Sequence, residues 1–147
     1  MRSTSFRTFV LYPLLVVAWE SVWTGGQLRV QPGYAPLLMW GYLQYRLIGR
    51  YRLRRGGGGP GMGTPPERLV TTGPYAWCRN PMYLGHMIFL VGLTLTFESL
   101  FAALLTVATI VWFHFRVRRD EARLRVRFGE LYEGYCLRVR RWVPGLF

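Results

Sequence analysis

Arg79 stands directly before Asn80-Pro81, and an apolar run opens at Met82. Asn suits a helix N-cap, and Pro suits the first helical position, where its missing N–H costs nothing. The open N–H groups of that helix end would lie beside the guanidinium and form a positive pocket for a small anionic group. An interfacial arginine meeting lipid phosphates is the simpler reading of the same residue. Just upstream, Gly73-Pro74 reads as a turn, because Gly accepts a positive φ and Pro pre-sets its own. Tyr75, Trp77 and Tyr83 add aromatic surface, which an interfacial belt would also explain. The second candidate group is the acidic pair Asp120-Glu121. It falls on a stretch, Arg116 to about Tyr135, whose Val117, Leu124, Phe128, Leu131 and Tyr135 share one helical face. The two carboxylates project to opposite borders of that stripe, while Arg118, Arg119, Arg123 and Arg127 point away from it. An interfacial helix with solvated carboxylates, paired to arginines such as Arg125, fits the same spacing.

These residues need elements to hold them. The chain has 147 residues, enough for one domain, and a net charge of +12 in which every basic residue is an arginine. A soluble protein so charged would suggest nucleic acid, but the arginines cluster between apolar runs and not along a solvated face, so a membrane is the expected partner. The apolar runs cover residues 6–23, 34–48, 82–97 and 100–115. Each falls short of the ~20 residues of a comfortable crossing, so flanking residues must extend the helices. Pro13 predicts a kink in the first, and Pro36 suits the first turn of the second. Only Glu98 and Ser99 separate the third from the fourth, which predicts a tight antiparallel hairpin.

Arginine-rich and arginine-poor segments alternate in step with four crossings, as the positive-inside rule expects. The expected fold is therefore all-α: an integral-membrane bundle of about four transmembrane helices with a C-terminal amphipathic cytoplasmic helix and both termini in the cytoplasm. The expected organisation is one domain, with two N-terminal helices over 1–48, a flexible Gly/Arg-rich cytoplasmic loop over 49–68 and a core over 69–147. Gly56 to Gly63 reads as a linker; a phosphate cradle would need a preceding strand and a following Lys-Ser or Lys-Thr. Cys78 and Cys136 show neither a disulfide framework nor metal-ligand spacing, and no metal is expected. The first apolar run lacks the cleavage site of a signal peptide. Glu20 lies inside that run, either as a functional carboxylate or near the outer interface. His86 and His114 read as packing or hydrogen-bonding groups on apolar helices.

Leu69-Val70-Thr71-Thr72-Gly73-Pro74-Tyr75, followed by Arg79-Asn80-Pro81-Met82-Tyr83-Leu84-Gly85, resembles the signature of the isoprenylcysteine carboxyl methyltransferase family, much of which the phospholipid N-methyltransferases share. The tail is similar too: Asp120-Glu121 with Leu124, Phe128-Gly129, Tyr132, Tyr135, Val139 and Pro144 matches the family's paired-acid helix and closing Val-to-Pro segment. The family often has His at the position of Asn80 and Glu at that of Asp120. The resemblance covers about residues 68–147. It implies an integral-membrane enzyme using S-adenosylmethionine without a Rossmann-type fold, in the bacterial inner membrane, acting on a lipophilic small molecule or lipid. Its cofactor-binding residues would be Gly73, Pro74, Tyr75, Arg79, Asn80, Pro81, Tyr83, Gly85, Asp120 and Glu121, with Arg79 and Glu121 at the centre of the chemistry. Arg79 would take the cofactor's carboxylate and Glu121, with Asp120, its ammonium, while Tyr75, Trp77 and Tyr83 would meet the adenine or sulfonium. Two other classes stay open: a membrane NADPH-dependent steroid or isoprenoid reductase, and a small non-catalytic membrane subunit. Neither the acceptor nor the oligomeric state is legible.

Overall fold

A computed structural model describes residues 4–59 and 64–142. Arg2, Pro60–Gly63 of the linker and Pro144 of the closing segment lie outside the described residues. The described residues contain helices, turns and no strand. A helical turn, α1 (Thr4–Phe6), leads through a π-helical segment (Arg7–Leu11) into α2 (Tyr12–Trp23). Then follow α3 (Ala35–Gly56), α4 (Pro81–Phe97), α5 (Leu100–Phe128) and α6 (Glu130–Arg138). One of these, α5, is long and apolar enough to cross a membrane, and α4 is apolar but 17 residues long.

The sequence departs from its expected elements in three places. Pro13 has no N–H to give the Phe9 carbonyl, and the strain is relieved one turn earlier. There the Tyr12 N–H reaches back to the Arg7 carbonyl across a wide π turn. The expected loop over 49–68 begins as helix, because α3 runs on through Arg50–Arg55 to Gly56. Finally, the amphipathic tail is no separate helix: α5 carries the fourth apolar run straight into it and breaks only at Gly129 (φ +51). A positive φ suits glycine. The break shifts the register of α6, so Tyr132 is buried and Leu131 is exposed, against the continuous stripe the spacing suggested.

The chain divides into two compact units. The first comprises the chain up to Gln44 together with Gly85–Val111; the second comprises Tyr45–Leu84 and Trp112 onward. In the first, Val16, Leu93 and Ala102 pack with Tyr12, Leu38, Phe97, Phe101 and Leu105. The expected hairpin forms through Glu98 and Ser99. Ser99 Oγ accepts the Ala102 N–H, and Thr106 Oγ1 meets both Thr94 Oγ1 (3.0 Å) and the Leu90 carbonyl (3.2 Å). The backbones of α3 and α4 nearly touch: a Cβ on Gly41 would lie 2.5 Å from the Phe89 nitrogen and 2.7 Å from the Gly85 oxygen. Small residues at such crossings let helices associate where no water drives them together. In the second unit, Ile48, Val70, Tyr75 and Met82 form one buried cluster, and Tyr132, Tyr135 and Val139 form another with Leu69, Leu124 and Phe128.

Because backbone atoms cannot yield as a side chain can, Gly41→Ala is expected to destabilise by about 1–3 kcal/mol. Gly134→Ala, with open space around its Cβ position, is expected to be neutral or slightly stabilising. Thermal unfolding in detergent checks both; equal midpoints for the two variants would remove the close approach as a constraint.

Candidate functional site

The candidate site lies within the second unit. Gly73 (φ +59) opens a 3-10 turn over Gly73–Ala76, which carries Tyr75 into the buried cluster. Pro81 begins α4, and the Asn80 carbonyl accepts the N–H groups of Tyr83 (3.1 Å) and Leu84 (3.2 Å), so Asn80 holds the N-cap position through its backbone. Its side chain is used elsewhere: Nδ2 donates to Glu121 Oε1 (3.2 Å) and to the Arg141 carbonyl (3.3 Å).

Arg79 is fastened to the returning tail. Its backbone N–H donates to the Arg140 carbonyl (2.9 Å), and Nη1 donates to the carbonyls of Cys136 and Val139, both at 3.1 Å. Carbonyls at a helix C-terminus lack intrahelical partners and carry the negative end of the dipole, so this guanidinium caps α6. Nε donates to Glu121 Oε1 at 3.2 Å. Nη2 has no hydrogen-bond partner among the described residues.

Glu121 is 2% exposed. Besides Arg79 and Asn80 it receives Arg141, whose Nη2 lies 2.8 Å from Oε2 and whose Nε lies 3.1–3.2 Å from both oxygens. That hydrogen bonding holds the Arg141 guanidinium above its ordinary pKa. A carboxylate can stay charged in such a place only when its lone pairs are met this fully.

Asp120 is the preceding residue, turned about 100° around the helix, and its surroundings differ. Oδ2 accepts the Tyr83 hydroxyl at 2.6 Å, and that hydroxyl accepts Arg116 Nε at 2.9 Å. Oδ1 sees Arg123 at 3.6 Å, which is ion pairing and not a hydrogen bond. Burial pushes the phenols of Tyr75 and Tyr135 and the thiol of Cys78 up, so all three stay protonated at neutral pH. The Tyr135 hydroxyl donates to the Tyr75 carbonyl (2.6 Å), and Cys78 Sγ to that of Arg141 (3.4 Å).

Around these groups is a pocket lined by Tyr75, Arg79, Asn80, Tyr83 and Asp120, with Arg52, Met82, Arg123, Tyr132 and Tyr135 among the remainder. Its enclosed volume is about 100 Å³, below the ~300 Å³ at which small-molecule sites begin. A larger ligand therefore extends into the open mouth. Glu121, Gly73, Pro74 and Pro81 do not line it. Gly85 belongs to the first unit, and Trp77 is 71% exposed. Two residues were hidden in the sequence. Arg52 ties both ends of the Gly-rich linker, donating to the carbonyls of Gly59 (2.9 Å) and Thr64 (3.0 Å). Arg141 is one arginine in an arginine-rich tail, with no spacing that marks it.

The family model for phospholipid methyltransferases matches residues 39–130. The chain is 34% identical over 85 residues to the nickel-cobalt-cadmium resistance protein NccN of Alcaligenes xylosoxydans xylosoxydans, covering 57% of this chain and 39% of that one. It is 36% identical over 78 residues to the protein-S-isoprenylcysteine O-methyltransferase of Mus musculus, covering 52% of this chain and 27% of the relative. The corresponding protein of Schizosaccharomyces pombe is 35% identical over 78 residues, covering 52% and 33%. The matched segment thus spans well under half of each of these relatives. No solved structure matches. The family match takes in most of α3, the Arg79 turn, the hairpin and the Asp120-Glu121 pair, more than half of the sequence, and the chain belongs to the phospholipid methyltransferase family.

Proposed function

We propose that the chain is an integral-membrane methyltransferase that binds S-adenosylmethionine in the pocket of its second unit and methylates a lipophilic acceptor. The observation that carries this reading is a pair of lining residues in one pocket of a phospholipid methyltransferase family member, each with an atom that makes no hydrogen bond among the described residues: Arg79 Nη2, and Asp120 Oδ1, which has only the 3.6 Å ion pair to the exposed Arg123. They suit the carboxylate and the ammonium of an amino-acid moiety, respectively. Asp120 thereby takes the part first expected of Glu121, and Glu121 becomes the residue that positions Arg79. Tyr75, Tyr83, Tyr132 and Tyr135 supply aromatic walls for an adenine ring or a sulfonium.

When bound, S-adenosylmethionine supplies a methyl group made electrophilic by its sulfonium. The chain's part is to align and to exclude water, which can lower such a barrier substantially without a dedicated base. A carboxylate acceptor of the isoprenoid or prenylcysteine type reacts without losing a proton. A phospholipid amine must lose one, and Asp120, coupled to the Tyr83 hydroxyl, is the acid in the pocket able to receive it. The arginine distribution favours four crossings with the pocket, the linker and both termini on the cytoplasmic face.

Titration calorimetry on detergent-purified protein tests this reading. S-adenosylmethionine is expected to bind, with Arg79→Ala and Asp120→Asn each weakening it by about tenfold or more, the worth of one charge-assisted hydrogen bond. No heat with S-adenosylmethionine beside clear binding of NADPH would favour the reductase; binding of neither would favour a non-catalytic subunit. Stability separates the two acids. Glu121→Gln is expected to lower the unfolding free energy by about 3 kcal/mol, because it strands two partly buried guanidinium groups. Asp120→Asn, at a more exposed site, is expected to cost under about 1 kcal/mol. Equal losses in denaturant melts would undo this division of labour.

A further inference from the structure

The first unit holds a second cavity, of about 870 Å³ and open to its surroundings, which shares no residue with the pocket of the second. Glu20 and Glu98 line it. Ser99 Oγ donates to Glu20 Oε1 (2.5 Å), and Gln31 Nε2 donates to Glu98 Oε1 (3.2 Å). Each carboxylate thus has one oxygen on a neutral donor and the other without a partner among the described residues. In a chain with nineteen arginines and seven acids, neither meets a cation among those residues. Arg29 lines the same cavity and also makes no ion pair or hydrogen bond there. Beside these charges Trp19 stacks on Trp23 (6.1 Å, 8°) and on Phe101 (4.9 Å, 19°), and Trp23 is 78% exposed.

Two carboxylates beside an open indole face suit an ammonium, and a guanidinium suits a phosphate. The cavity also continues into apolar surface. Leu100 and Leu104 form part of its lining, and with Val107 and Val111 they make an exposed stripe at helical spacing along α5. That stripe runs about 17 Å, enough to support an acyl chain.

We propose that this cavity seats the headgroup of a zwitterionic phospholipid that is not itself methylated. Its ammonium lies against Glu20, Glu98 and the tryptophans, its phosphate against Arg29, and one acyl chain along the Leu100–Val111 stripe. Carboxylates hold an amine in its protonated form, which has no lone pair to attack a methyl group. The bound lipid is therefore a fixed component of the first unit and not an acceptor.

The test places the full chain in nanodiscs of equal dioleoyl-phosphatidylethanolamine and dioleoyl-phosphatidylglycerol and counts the lipids retained in native mass spectrometry. The ratio of bound ethanolamine lipid to glycerol lipid is expected to fall about tenfold in the Glu20→Gln/Glu98→Gln variant, which gives up both charge-assisted contacts. The single variant Glu98→Gln, at an exposed position, is expected to lower it about threefold, whether or not the double variant folds, and Arg29→Ala is expected to lower the number of retained lipids of both kinds, because both carry the phosphate. Binding of S-adenosylmethionine is expected to be unchanged in the single variants. A ratio that stays at the wild-type value in Glu98→Gln, or a lipid count that stays there in Arg29→Ala, overturns the proposal.

Discussion

The second unit depends on one buried carboxylate. Glu121, on α5, gathers donors from two separate parts of the chain: Arg79 and Asn80 before α4, and Arg141 after α6. Removing a charge from water costs several kcal/mol, so the fold that buries it must bring all of these donors together at once. Arg79 then cannot wander, since Glu121 holds one edge of its guanidinium and the C-terminal carbonyls of α6 hold another. The atom left over is the one that the proposed chemistry uses. A pair of adjacent acids thus divides into a residue that builds the wall and a residue that faces the ligand, by a turn of about 100° on one helix.

The two units are held by different physics. In the first, packing is apolar, backbones approach closely at Gly41, and hydroxyl groups make the polar contacts among Thr94, Thr106, Ser99 and Glu20. Its exposed Leu14, Val22, Met39, Leu100 and Leu104 suit an apolar surrounding. In the second, charged groups and tyrosine hydroxyls add tertiary contacts to the apolar clusters, as the Arg79 guanidinium on the Cys136 and Val139 carbonyls and the Tyr135 hydroxyl on that of Tyr75 show.

Much of this was legible because local rules act where they can be read. Asn80-Pro81 starts a helix, Gly73-Pro74 makes a turn, and Glu98-Ser99 makes a hairpin, each from backbone preferences of the residues themselves. Gly129 was the exception among them: its single left-handed conformation shifts which tyrosines of α6 face inward, and a periodicity count runs straight through it. The all-helical class followed from the apolar runs. Four crossings are a weaker inference, since arginines within α3 and the shortness of α4 leave α5 as the one described helix that meets the length and composition of a span. The site was half legible. Arg79 and Asp120-Glu121 stood out by type and place, but which acid faces the pocket depends on the helix's rotation against its neighbours. Arg141 and Arg52 were hidden because their roles come from contacts distant in sequence, and nothing in an arginine-rich stretch distinguishes the arginine that folds inward.

The most direct test of the central claim is where the methyl donor sits. Ultraviolet crosslinking of radiolabelled S-adenosylmethionine to the purified protein, followed by peptide mapping, locates it without relying on turnover. The label is expected on peptides carrying Tyr75 and Tyr83 or Tyr132 and Tyr135, the aromatic walls of the second unit's pocket, and to be competed away by unlabelled donor. Competed label on the tryptophans of α2 instead would place the donor in the first unit and contradict the account.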